Sequence, residues 1–164
     1  MILFLDFDGV LHPDEAYWYP GRGVVLKTCN LPEEYQHLDL FCYAEALATV
    51  LADFPHVRIV LSTSWVPTIG YSQSRDRLPE ALQRRVIGAT YHSKHTPRWN
   101  YQSRYEQIRE NVLYRELGSR WVAVDNDNVG WAEEQMDWLV HTDDNKGFSD
   151  LAAHEKLRKI LASS

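Results

Sequence analysis

Short apolar runs alternate with amphipathic stretches along this chain. Residues 2–5 (Ile-Leu-Phe-Leu) run without a polar side chain until Asp6, and Gly9 follows closely. Such a run predicts a strand buried on both faces, as in parallel sheets. Residues 57–61, 121–124 and 138–141 repeat the signature. Between them, Leu40, Ala44, Leu47, Val50, Leu51 and Phe54 share one side of a helix predicted over 39–54, which Pro55 ends. Further helices are predicted over 79–86, 103–117 and 149–161, with a short extended piece at 87–91. The 103–117 helix has Ile108, Val112, Leu113 and Leu117 as its buried stripe and Gly118 just past its end. The last helix takes Ser149 as its N-cap. Residues 12–38 carry Pro, Gly, Tyr and Trp without helical period. They predict an aromatic-rich insert, a loop or short hairpin, with a strand at 24–26. Strands alternating with helices predict an α/β fold built on a doubly wound parallel sheet. With no repeat or linker in its 164 residues, the chain reads as a single domain, 1–164.

Composition changes this picture little and charge changes it more. A hydrophobic fraction of 45% suffices for a core, and a net charge of −6 argues against a general nucleic-acid coat protein. The charge is uneven. From Arg75 to Arg109 there are eight Lys or Arg against three acids, a local net of +5. Two readings stand: a surface for an anionic ligand, or a solvated face balanced by acids elsewhere. Cys29 and Cys42 form no CxxC pair, so a reduced, cytoplasmic setting is expected. Four apolar residues at the start are too few for a signal-peptide core or a membrane span.

The candidate chemistry lies where the apolar runs stop. The first ends in Asp6-Phe7-Asp8-Gly9, the second in Ser62-Thr63-Ser64, the third in Asp125-Asn126-Asp127. In open α/β sheets ligands bind at the carboxyl ends of strands. Each cluster alone is also ordinary turn chemistry; their order, each directly after a buried strand, argues for a shared site. Carboxylates packed together repel unless a cation neutralises them, and a hard, oxygen-seeking ion such as Mg²⁺ suits this set. A carboxylate nucleophile can then form an acyl-phosphate, and a second acid two residues on can move the proton. Gly9 lets the chain turn sharply from the strand end.

These residues resemble the haloacid dehalogenase (HAD) superfamily, whose first motif, Asp-x-Asp-x-[Val/Thr], matches Asp6-Phe7-Asp8-Gly9-Val10. The resemblance implies Asp6 as nucleophile and Asp8 as general acid/base. It implies a second-motif hydroxyl at Thr63 or Ser62, Thr63 being favoured, with Ser62 and Ser64 near the substrate. The third-motif cation is Arg104, with Lys94 and Arg98 as rivals and as candidate substrate contacts. Asp125 and Asp127 resemble the fourth motif, so Mg²⁺ would be held by Asp6, Asp8, Asp125 and Asp127. Asn126 separating the last two acids departs from the usual pattern. The stretch Ile-Val-Leu-Ser-Thr-Ser-Trp, then Ile-Gly-Ala-Thr and Arg-x-x-x-Ile, looks like a small HAD subgroup attached to RNA-repair modules. The gaps from Asp8 to Thr63 (55 positions) and Thr63 to Arg104 (41) leave no room for a large cap. The resemblance implies a phosphatase, and an open site would admit a phosphorylated small molecule or a nucleic-acid end. Tyr17, Trp18, Tyr19, Trp99 and Tyr101 are candidates to stack bases or to form a minicore over the sheet. A non-catalytic phosphoryl-binding adaptor is the alternative. A receiver-like signalling domain places its acids on different strands. His12 follows the first motif closely and reads either as facing the site or as a loop histidine, and His92 with His95 lacks a third metal ligand.

Overall fold

The computed structural model describes residues 1–93, 99–118 and 120–163. Its centre is a five-stranded parallel sheet of β1 (Ile2–Leu5), β4 (Arg58–Leu61), β5 (Val86–Ala89), β6 (Trp121–Asp125) and β7 (Leu139–His141). The order across it is β5-β4-β1-β6-β7, with all four pairings parallel. β1 therefore lies between β4 and β6, and the ends of the three clearest apolar runs are neighbours. Alternate residues of β1 enter two cores. Leu3 and Leu5 join α1 (Ala44–Ala52) and α6 (Leu151–Ala162) on one face. Ile2 and Phe4 meet Trp121 and α5 (Arg104–Tyr114) on the other. Covering both faces is what makes the strand runs continuous in the sequence. Each fully buried Leu or Phe contributes about 1.5–3 kcal/mol through removal from water. The fold is an α/β doubly wound sheet, and no cap domain interrupts it among the described residues.

Several elements differ from expectation. The helix over 39–54 is shorter, because Phe41 takes a φ of 64° and the first residues form a turn. The 79–86 helix shrinks to α4 (Glu80–Gln83), and Val86 already belongs to β5. Leu113 is not in the buried stripe of α5; it is 68% exposed. Asp150, not Ser149, caps α6, accepting a hydrogen bond from the Ala152 amide. Two helices were not anticipated, α2 (Trp65–Ile69) and α3 (Tyr71–Asp76). Pro67 disguises α2, yet in the first turn of a helix its missing N–H costs nothing. Gly70, at φ 94°, makes the break between the two. The insert contains an antiparallel hairpin, β2 (Ala16–Tyr19) and β3 (Gly23–Leu26). Its Tyr17 and Trp18 are exposed, so they do not form a minicore. No described helix is long and apolar enough to cross a membrane.

Candidate active site

The turn after β1 builds the site. The Val10 and Leu11 amides both donate to the Phe7 carbonyl, folding the chain back on itself. Gly9 adopts φ 64°, and a Cβ there would lie 2.4 Å from the Asn126 side chain. Glycine is thus required twice over, by conformation and by space. The turn is strapped from the far side of the sheet: the Thr142 hydroxyl donates to the Gly9 carbonyl at 2.8 Å, and the Phe148 amide donates to Val10 at 2.7 Å.

Asp6 and Asp125 stand at the ends of neighbouring strands, and both are buried. Arg104, the first residue of α5, reaches between them. Its Nη2 donates to Asp6 Oδ2 at 3.2 Å, and its Nε lies 3.1 Å from Asp125 Oδ2. A capping box fixes the start of that helix: Ser103 accepts from the Glu106 amide while the Glu106 carboxylate accepts from the Ser103 amide. Burial pushes the Asp6 carboxyl up to about 6, against the pull of Arg104 and with repulsion from Asp8. The Phe7 amide, which donates to Asp6 Oδ1 at 2.8 Å, and the nearby Thr63 hydroxyl draw it down again. Asp125 is raised well above the usual range by burial and by Asp6. For Arg104, burial works to lower the pKa, but Asp6 and Asp125 outweigh it and the net shift is upward.

Asp8 points elsewhere. The Trp65 indole N–H lies 3.0 and 3.1 Å from its two carboxylate oxygens, and the Ser64 hydroxyl donates at 3.3 Å. His12, wholly buried, places Nε2 3.1 Å from Asp8 Oδ1, while its Nδ1 accepts from the Phe41 amide at 3.4 Å. That acceptance assigns the neutral ring proton to Nε2, so His12 donates to Asp8. Edge-on contacts among Phe7, Phe41 and Trp65, at centroid separations of 5.2–5.6 Å, hold this ring cluster in place.

The expected site residues thus separate. Asp6, Thr63, Arg104 and Asp125 meet at one point, with Asp8 and Ser64 beside them. The Ser62 hydroxyl is buried without a partner. Asp127 is tied into its own turn, its amide donating to Asp125 Oδ1 and its Oδ1 accepting from the Val129 amide, while its charge still acts on Arg104 and Asp125. Lys94, Arg98 and His95 lie outside the described residues. Among the described residues no three His, Cys, Asp or Glu side chains group so as to hold a metal. The expected set of four aspartates is therefore not gathered through its side chains; the Arg104 guanidinium stands between two of them. Even so, Asp125 Oδ2 is a buried carboxylate oxygen with no aligned hydrogen bond, its one close neighbour being Arg104 Nε in an ion pair at 3.1 Å. It and Asp6 form an oxygen-only, over-charged pair, and this fits a hard cation. Trp65 carried no role in the sequence reading, although it directly follows Ser62-Thr63-Ser64. Gln107, which accepts from Arg104 Nη1 at 3.2 Å, was also missed.

A family model described as the HAD domain in Swiss Army Knife RNA repair proteins matches residues 2–153. The chain belongs to that family. No curated protein and no solved structure matches it. Membership of the HAD superfamily brings phosphohydrolase-type chemistry with it, and Mg²⁺ is the metal such domains generally use. In this HAD domain the first-motif aspartates, the Ser-Thr-Ser strand end, Arg104 and Asp125 all lie within the matched span.

Proposed function

We propose that this HAD domain is a Mg²⁺-dependent phosphomonoesterase that works through an aspartyl-phosphate on Asp6 and acts on nucleotides or nucleic-acid ends. The observation that carries the reading is Asp6 itself: a buried carboxylate at a strand end, ion-paired to Arg104, with a second carboxylate two residues on. An Asp6 oxygen attacks phosphorus, forming the O–P bond as the bond to the leaving oxygen breaks. Asp8 gives that oxygen its proton. Water then attacks the aspartyl-phosphate, Asp8 takes the proton back, and inorganic phosphate leaves with Asp6 restored. Arg104 and the Thr63 hydroxyl face the transferring oxygens and favour the charge that gathers on them. Asp6, Asp125 and the Asp8 carbonyl would hold Mg²⁺. When bound, the ion neutralises charge between nucleophile and phosphate.

The RNA-repair context named in the family description supports a nucleic-acid substrate. The test is Mg²⁺-dependent phosphate release from an aryl phosphate, from mononucleotides and from 5′- or 3′-phosphorylated oligonucleotides. Release from at least one, abolished by chelation, is expected. Silence with every substrate in the presence of Mg²⁺ overturns the proposal.

A further inference from the structure

Beside the charged centre lies a cavity of about 370 Å³ between the end of β5, the 3-10 turn Trp99–Tyr101 and α5. Its size is within the range of roughly 300–1,000 Å³ that small-molecule sites occupy. Three of its lining residues each carry a buried side-chain atom without a hydrogen-bond partner: the Thr90 hydroxyl, the Trp99 indole N–H and the Gln102 amide oxygen Oε1. Most buried polar groups are paired, so three orphans around one cavity need an explanation.

Several other wall residues are already committed to one another. Gln107 donates to the Trp99 and Gln102 carbonyls and accepts from Arg104. Asn111 accepts from Arg115 Nε at 2.7 Å, and Gln102 Nε2 donates to Glu110 at 2.6 Å. The two charges in the lining are thereby tied to amides. Among the buried atoms of the lining, what remains open is one donor, one acceptor and one hydroxyl that can be either. Phosphate or carboxylate offers acceptors only and leaves the Gln102 oxygen unanswered. An apolar ligand leaves all three unanswered. A nucleobase edge carries donors and acceptors side by side, and its face stacks on aromatic rings; Tyr114, largely exposed, supplies one at the cavity.

We infer that this cavity receives the base of the nucleotide whose phosphate is held at Asp6. Gln107 links the two: it touches the turn that forms the cavity wall and the arginine that contacts the nucleophile. Each of the three buried atoms must turn toward the cavity to reach the ligand. This rests on the phosphatase reading for the position of the phosphate, whereas base binding can be measured without turnover.

The experiment titrates the full chain with adenosine, guanosine, cytidine and uridine, and with ribose alone, by ligand-observed NMR. At least one nucleoside should bind and ribose should not. Thr90→Val keeps the side-chain shape and removes one orphan, so its thermal midpoint should not fall; its affinity for that nucleoside should drop about fivefold, the worth of one hydrogen bond. The inference is overturned if no nucleoside binds up to its solubility limit, if ribose binds as well as the nucleosides, or if folded Thr90→Val binds as tightly as wild type. Nucleoside binding without phosphate release sinks the phosphatase reading alone. Phosphate release without nucleoside binding sinks only the base site.

Discussion

Asp6 and Asp8 stand two residues apart and are held by opposite kinds of chemistry. Asp6 faces charge: Arg104 lies 3.2 Å away and Asp125 sits across the guanidinium. Asp8 faces neutral donors from Trp65, His12 and Ser64, packed in a ring cluster. A fixed cation suits a group that must stay anionic until it attacks. Neutral donors suit a group whose charge changes in each half of a reaction, because they orient it without adding a charge of their own. The same turn of chain thus presents a nucleophile-like and a shuttle-like carboxylate, distinguished by neighbours and not by residue type.

The sharpest way to break this contrast is at Asp6. Asp6→Asn should lower phosphate release by at least about 10³-fold with the circular-dichroism spectrum unchanged, since it removes the proposed nucleophile. Full activity in that variant would remove Asp6 from its role. Next is the cation. Arg104→Met leaves two buried carboxylates without their partner, so turnover should fall by about 10²-fold and urea denaturation at pH 8 should report a loss of about 3 kcal/mol. On the neutral side, Trp65→Phe keeps an aromatic ring and removes one donor to Asp8. A decrease of about tenfold in kcat with KM unchanged is expected, and a rise of about tenfold in KM with kcat unchanged would make Trp65 a binding residue instead.

The smallest effect is in pH. The folded Asp6 carboxyl, at about 6, lies above its ordinary value of 3.8, so the folded state binds this proton more readily than the unfolded chain. The resulting stabilisation is complete below about 3.8 and is lost as pH rises through about 6. Melting without Mg²⁺ should therefore show wild type gaining about 2–4 °C relative to Asp6→Asn between pH 7 and pH 5. Parallel pH profiles would mean that burial does not strain this carboxylate.

The sequence by itself determined the strands, because burial on both faces leaves runs such as Ile-Leu-Phe-Leu that no other soluble element requires. It also determined the first motif and the start of α5, since a turn glycine and a capping box are local devices. Tertiary structure decided the rest. Trp65 reaches Asp8 from 57 residues away, and His12 is oriented by the Phe41 amide 29 residues on. Such contacts leave no period in the chain. α2 and α3 were hidden because Pro67 and Gly70 break the helical pattern while packing against the sheet restores it. Asp127 illustrates the limit in the other direction: its spacing from Asp125 is visible in sequence, but the hydrogen bonds that tie its amide to Asp125 and its Oδ1 to the Val129 amide exist only in the folded turn.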